Sequence, residues 1–198
     1  MAPVTDKGGE TRSRIVDAAR RAFAERGYAG TSMTDLLRAA DITKGGFYFH
    51  FPSKVDVAVA VVEESQARAR DEIDVHITGE RAIERLQGLI HGAFVVGCQH
   101  QDIGVVKRLC AELAEDPAAA GRVGPPFETW VDISASLLDL AKREGDVSPD
   151  LDTAAAARIA VAAYFGLDEL LGNDPEAMLA HEEAFIRFVL DAVGARAA

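Results

Sequence analysis

Four hydroxyl side chains stand where two short helices are expected to begin. Thr31 and Ser32 can cap a first helix that runs through Arg38, with Thr34 in its first turn, and Thr43 can cap a second that runs to about His50. Free backbone N–H groups and the helix dipole make helix starts favourable places for phosphate. The pattern therefore predicts two capped helices joined by a tight turn, an arrangement that suits a DNA backbone.

The second of these helices begins with a lysine and two glycines, which is unusual for a purely structural helix. A glycine weakens a helix by about 1 kcal/mol relative to alanine. Small residues at a helix start allow its backbone to approach a surface closely, as the first turn of a recognition helix does in the major groove. With two polar-tipped aromatic side chains and a lysine after Pro52, the residues predicted to bind DNA are Thr31, Ser32, Thr34, Thr43, Lys44, Gly45, Gly46, Tyr48, His50 and Lys54.

The three phenylalanines of this stretch allow a plainer interpretation. Phe47, Phe49 and Phe51 are suited to the core of a small three-helix bundle, in which the hydroxyls would act only as caps. We expect two of the three to be core residues. The packing and DNA-binding interpretations are compatible, and the combination of capped starts, paired glycines and basic ends favours DNA.

The same stretch resembles the DNA-binding domain of TetR-family transcriptional regulators over about residues 11–62. The shared residues are Gly27-Tyr28, Thr31-Ser32-Met33, the run from Ala39 to Gly45, the run from Phe47 to Phe51, and Ser53-Lys54. Within that family the sequence is most like the γ-butyrolactone receptors of actinobacteria, whose recognition helix commonly reads TKGALYFHF. This chain differs at Gly46-Phe47. The resemblance implies a homodimeric repressor that binds double-stranded DNA at a palindromic operator and is released by a small molecule.

Charge is divided unevenly along the chain. The 198 residues carry a net charge of −11, made of +3 over residues 1–54 and −14 over the remainder. A basic head on an acidic body is typical of a DNA-binding protein with a regulatory domain. We predict a DNA-binding domain at residues 1–54, with a disordered arm at 1–10, and a ligand-binding and dimerisation domain at residues 55–198.

Apolar residues recur at helical spacing through the rest of the chain, and no segment alternates with the period of a strand. The sequence therefore predicts an all-α protein of about nine helices, with a three-helix helix-turn-helix domain at its N-terminus. The last two helices carry broad apolar faces. These predict a four-helix bundle between two subunits, with ordinary packing within one chain as the alternative.

The chain's only tryptophan, Trp130, lies on an apolar helix face, a pattern that by itself predicts a core residue. The γ-butyrolactone receptors carry a pocket tryptophan after a Pro-Phe-x-x pattern, so the resemblance implies a pocket. The ligand implied is a γ-butyrolactone-type signal that controls antibiotic biosynthesis genes. The alternative is an antibiotic or lipophilic compound that controls an efflux or resistance gene. The residues predicted to line the pocket are Gln66, Leu86, Phe94, Leu109, Phe127, Trp130, Val131, Ala162 and Phe165.

Motifs for catalysis, metal binding and membrane insertion are missing from the sequence. It has no nucleophile elbow, P-loop, dinucleotide fingerprint or zinc-protease motif, and Cys98 and Cys110 match no zinc or redox spacing. We therefore predict no catalytic residues, no cofactor and no metal. No apolar run reaches the roughly 20 residues that span a bilayer, and no signal peptide is apparent, so we expect a cytoplasmic protein without a membrane partner. Two rival hypotheses remain: a ligand-free architectural DNA-binding protein, and a small-molecule carrier or enzyme with a vestigial DNA-binding head.

Overall fold

The computed structural model describes residues 7–99, 103–123 and 127–195. Within these ranges it contains nine α-helices, one turn of 3-10 helix and no strand, which confirms the all-α prediction. The helices are α1 (Lys7–Arg26), α2 (Met33–Ala40), α3 (Lys44–His50), α4 (Lys54–Asp74), α5 (Ala82–Gln99), α6 (Ile103–Ala114), α7 (Glu128–Glu144), α8 (Thr153–Leu170) and α9 (Pro175–Ala192).

These helices form two compact packing units. Of the described residues, 7–67 and 103–123 belong to the first unit, and 68–99 and 127–195 belong to the second. Helix α6 follows α5 in the chain but packs in the first unit, beside α1. The predicted boundary after residue 54 concerns function rather than packing, and it stays a prediction.

Helix α1 starts earlier than expected. It begins at Lys7, so residues 7–10 are helical rather than part of a disordered arm, and the rest of the predicted arm lies outside the described residues. The helix ends at Gly27, whose φ of +72° lies in the left-handed region that glycine adopts without strain. Its inner face is buried and includes Ile15, Val16 and Phe23.

The two predicted caps of the helix-turn-helix motif are present. Ser32 caps α2 in a capping box, in which its hydroxyl accepts from the Asp35 amide while the Asp35 carboxylate accepts from the Ser32 amide. Thr43 caps α3 through a hydrogen bond from the amide of Gly46. Asp41, at φ 48°, ends α2 and turns the chain toward α3. The local sequence thus fixes both helix starts.

Helix α4 shares one apolar core with this motif and with α1. Val57, Ala58, Val61 and Val62 are buried in one cluster with Phe47 of α3 and with the inner face of α1. Because these residues occupy positions of one helical stripe, burial of apolar area holds α4 against the motif.

The second unit is built from α5, α7, α8 and α9 around a separate apolar cluster. Phe94, Leu138 and Ala141 are among its fully buried members, and Phe185 and Val189 bring α9 onto it. Among the described helices, none combines the length and the apolar character needed to cross a membrane.

Two carboxylates of the first unit make its free energy of unfolding depend on pH in the acidic range. Hydrogen bonds from the Ser32 hydroxyl and amide, together with the charge of Arg26, hold the pKa of Asp35 below its usual value. Hydrogen bonds from the Ala118 amide and the Tyr28 hydroxyl lower the pKa of Asp116. A carboxylate with a lowered pKa stabilises the folded state above its unfolded pKa, and this contribution is lost as pH falls through the folded value.

We therefore expect the urea midpoint of unfolding to fall as pH drops below about 4, the unfolded pKa of aspartate. Far-UV circular dichroism at a series of pH values measures this. In Asp35→Asn and Asp116→Asn variants the acid-dependent fall should be smaller, whereas Asp150→Asn in the second unit serves as the matched control. An equal fall in all three variants and in the unmodified protein would contradict the assignment.

Candidate functional site

The outward face of α3 combines a bare backbone with an exposed aromatic ring. A side chain added at Gly45 would meet nothing within 4 Å, and Phe49, one turn later on the same face, is 84% exposed. On the opposite face Phe47 is 0% exposed and Phe51 is 3% exposed. The expectation that two of the three phenylalanines are core residues is therefore confirmed, and the third points to solvent.

Three of the predicted hydroxyls remain at the surface beside α3. Ser32, Thr34 and Thr43 are exposed, and the first and last of them already accept a hydrogen bond from their own helix. The Thr43 hydroxyl still has its own hydrogen to donate to a phosphate oxygen, whereas the Ser32 hydroxyl already donates its hydrogen to the Asp35 carboxylate at 2.5 Å. Thr34 and Thr43 keep their place in the candidate DNA surface as hydroxyl donors, and Ser32 keeps its place through its exposure alone.

Thr31 lies in a different environment. It is 1% exposed, and its hydroxyl lies 2.7 Å from the carbonyl oxygen of Gly27 and 3.2 Å from that of Ala22. The hydroxyl therefore donates to the backbone at the end of α1 instead of facing solvent. We assign Thr31 a structural role and leave it out of the candidate DNA surface.

Lys54 is also turned inward. Its ammonium donates to the carbonyl oxygens of Tyr28 at 2.9 Å and Thr31 at 3.0 Å, and it lies 4.1 Å from the centroid of the Tyr28 ring. Burial lowers its pKa, an effect opposed by the nearby charges of Asp116 and Glu112. Because its donors are used within the head, Lys54 joins α4 to the loop after α1 and is left out of the DNA surface.

The two glycines of α3 have different roles. Gly45 fits the predicted close approach to a surface, since the space around it is open. At Gly46 a side chain would come within 2.9 Å of the Ile42 side chain in the turn between α2 and α3. Gly46 thus allows the motif to pack, and of the two glycines only Gly45 keeps its place in the candidate DNA surface.

Lys44 provides the positive charge of this face. It is exposed, forms no ion pair within the described ranges, and lies 5.9 Å from the centroid of the Tyr48 ring. Several other basic side chains of the head are engaged with carboxylates: Arg12 with Glu64, Arg20 with Asp17, and Arg26 and Arg38 with Asp35. Tyr48 is 44% exposed and His50 is half-buried, so both remain accessible to a partner.

Two acidic residues of the α6 segment hold the loop after α1, a contact that the sequence analysis missed. The Tyr28 hydroxyl donates to Asp116 at 2.9 Å, and the Ala29 amide donates to Glu112 at 2.8 Å. Burial, together with Asp116, raises the pKa of Tyr28 well above its usual value, so the phenol stays protonated as the donor. Only tertiary packing brings these residues together, and no local pattern signals it.

A chain of four aromatic rings crosses the second unit. Phe94 lies 5.1 Å from Tyr164, Tyr164 lies 5.1 Å from Phe165, and Phe165 stacks on Phe127 at 3.5 Å, all between ring centroids. The Tyr164 hydroxyl donates to the Ala93 carbonyl oxygen at 2.7 Å, and burial raises its pKa far above the usual value. The rings come from α5, α8 and the start of α7, so this cluster can present an apolar surface to a small molecule.

The structure divides the predicted pocket residues between the two units. Leu86, Phe94, Phe127, Trp130, Val131, Ala162 and Phe165 belong to the second unit, and Gln66 and Leu109 belong to the first. Leu86, Phe94 and Val131 are buried, Trp130 is half-buried against the same apolar cluster, and Ala162 is exposed. Leu109 is 2% exposed in the core of the first unit, where it packs with α1 and α4. The aromatic chain is therefore the centre of the candidate effector site.

Two short capped helices with an exposed recognition face, followed by a second helical unit, define a helix-turn-helix regulator. Residues 15–61 match the family described as bacterial regulatory proteins, tetR family. A solved structure is 31% identical in sequence to this chain, and the alignment covers 98% of that structure's chain. Together, the two matches show that the protein belongs to the tetR family. It is a transcriptional regulator rather than an enzyme.

The similar proteins support the narrower resemblance. The A-factor receptor protein of Streptomyces griseus is 32% identical over 161 residues, which are 80% of this chain and 54% of that protein. This chain thus spans about half the length of that relative. The solved structure with 31% identity, described as the molecular basis for control of antibiotic production by bacterial hormones, has a TM-score of 0.77 and covers 94% of this chain. A γ-butyrolactone receptor structure, 25% identical, has a TM-score of 0.63 and covers 91% of this chain and 99% of its own.

Proposed function

We propose that this protein is a homodimeric repressor that binds a palindromic operator and releases it when a γ-butyrolactone-type signal binds the second unit. The observation that supports DNA binding is the outward face of α3. There the backbone at Gly45 is uncovered, and Lys44, which has no acidic partner among the described residues, lies beside the Tyr48 ring.

Helices α8 and α9 support the homodimer. Ile159 and Leu170 lie three helical turns apart on the same side of α8 and are 65% and 85% exposed, and Phe188 of α9 is 58% exposed. Large apolar side chains left in solvent in this way fit a face that a second copy covers. A dimer also places two copies of α3 about one DNA turn apart, so that they read a palindrome together.

The aromatic chain supports an effector with a large apolar part. Phe127 and Phe165 are partly exposed and offer ring surface, Phe94 lies behind them in the core, and Trp130 packs against the same cluster. To release DNA, the ligand must bind the DNA-incompetent arrangement more tightly than the competent one. A nearly complete switch takes about 5 kcal/mol of differential affinity. Helix α4, which runs continuously from the first unit into the second, is the proposed route of this coupling.

The aromatic chain also favours a second candidate effector. The hydroxyl of Tyr164 already donates to the Ala93 carbonyl oxygen and is not free to donate to a lactone carbonyl. An antibiotic or lipophilic compound without such a carbonyl would fit the same rings. In that case the protein would control an efflux or resistance gene.

The DNA half is tested by selecting duplexes from a random pool with the full protein and measuring affinity across a salt series. Lys44→Ala should make the slope of log K against log salt shallower by about 2, because the dimer loses one phosphate contact in each half-site. Arg143→Ala, an exposed arginine of α7 in the second unit, is the matched control and should leave the slope unchanged. Failure to select any duplex would remove the proposed function. An unchanged slope in Lys44→Ala would remove this residue from the interface.

The effector half uses the single tryptophan as a reporter. Trp130 emission is titrated with a panel of γ-butyrolactones while the anisotropy of the labelled selected duplex is followed, with N-acetyltryptophanamide as the control for non-specific quenching. We expect a saturable change in emission together with release of the duplex. Release by antibiotics but not by lactones would favour the second candidate, and DNA binding that no compound weakens would remove the effector proposal.

A further inference from the structure

The ring of Phe49 is exposed and lies outside the core of the head. It is 84% exposed, whereas Phe47 and Phe51 on the other side of α3 supply the core contacts. Its one aromatic neighbour in the described ranges is His50, whose ring stands edge-on at 5.1 Å between centroids. This contact limits the directions in which the Phe49 ring can point, while leaving most of its surface in water.

The residues that surround Phe49 on α3 indicate the kind of partner that its ring contacts. Gly45 lies one turn earlier on the same face and leaves the backbone bare, while Lys44 and Tyr48 form the neighbouring edge of the helix. A bare first turn lets α3 enter the major groove, and the basic edge then lies toward phosphate. A helix that entered the groove in this way would bring the exposed Phe49, in its second turn, toward the base edges.

Of the groups that base pairs present in the major groove, the thymine C5-methyl is the apolar one. A phenylalanine ring can neither donate nor accept the hydrogen bonds that distinguish the other bases. We propose that Phe49 is a specificity-determining residue that packs on a thymine methyl group in each half-site of the operator. The inference rests on the proposed function, because it assumes that α3 enters DNA.

The experiment replaces thymine by deoxyuridine, which removes the methyl group and keeps every hydrogen-bonding group. In the duplex selected by the full protein, each thymine and its symmetry mate are replaced in turn, and affinity is measured at one salt concentration. For the unmodified protein we expect one position at which the replacement weakens binding by about fourfold per half-site, the effect of burying one methyl-sized group. Over two half-sites the loss is about fifteenfold.

The same series is then measured with Phe49→Ala and with Val75→Ala, an exposed apolar residue of the second unit. Phe49→Ala should bind the methylated and unmethylated duplexes equally, and Val75→Ala should keep the full difference. The inference is overturned if the unmodified protein tolerates deoxyuridine at every position, or if the loss persists in full in Phe49→Ala. Absence of binding to any duplex by the unmodified protein would remove the proposed function itself, and the inference with it.

Discussion

Replacing Phe47 by alanine is expected to lower the free energy of unfolding by about 3–5 kcal/mol, the range found for fully buried aromatic residues. The ring is 0% exposed and lies 5.9 Å from Phe51 and 5.8 Å from Tyr48, so its removal leaves a cavity between α3 and the helices beneath it. Urea unfolding followed by far-UV circular dichroism measures the change. DNA binding should be lost together with the fold of the head.

Phe49→Ala is the matched control, since it removes the same ring from the same helix. An exposed substitution away from caps and buried contacts changes stability by about 0.5 kcal/mol or less. The two variants should therefore separate folding from recognition: Phe47→Ala destabilises the head, and Phe49→Ala changes its stability little. Similar losses of stability in the two variants would mean that the orientation assigned to α3 is wrong.

The orientation of α3 was accessible from the sequence because it depends on local rules. Thr43 and Ser32 are strong capping residues, Gly27 ends α1, and a helical period places positions 47 and 51 on one face and 49 on the other. The periodicity of the longer helices gave their number and approximate bounds for the same reason. Caps and apolar stripes are properties of neighbouring residues, which a sequence displays directly.

The roles of Thr31 and Lys54 were not accessible in this way. Both residue types suit a DNA surface, and only tertiary packing turns the Thr31 hydroxyl onto the end of α1 and the Lys54 ammonium onto the carbonyl of Tyr28. The contact between Glu112 and the Ala29 amide joins residues 83 positions apart. No periodicity reports such a contact.

The candidate effector site was predicted less completely. Phe94, Phe127 and Phe165 belong to one chain of rings, but Tyr164, which joins two of them, was not among the predicted lining residues. Leu109 was chosen for its place in an apolar stripe, and the structure buries it in the other unit. An apolar stripe shows which side of a helix is buried and leaves open which neighbours it meets.

A second large effect is expected at the junction of α5 and α7. Asp146 follows Gly145 at the end of α7, is 2% exposed, and forms an ion pair with Arg81, which is 48% exposed. Beyond this ion pair, neither carboxylate oxygen has a hydrogen-bond partner among the described residues. Without the arginine, the buried Asp146 carboxylate has no compensating charge. Arg81→Ala should therefore lower the free energy of unfolding by about 3 kcal/mol.

The partner substitution should have a smaller effect. In Asp146→Asn the remaining arginine is half-exposed and can be solvated, so no charge is left uncompensated in the interior. The double variant Arg81→Ala/Asp146→Asn should then be more stable than Arg81→Ala alone, because the second change removes the stranded carboxylate. Urea unfolding of the four proteins gives the coupling free energy directly. Equal and additive losses would show that Arg81 acts only through its packing, whereas a rescue would show that the buried charge of Asp146 makes Arg81 necessary.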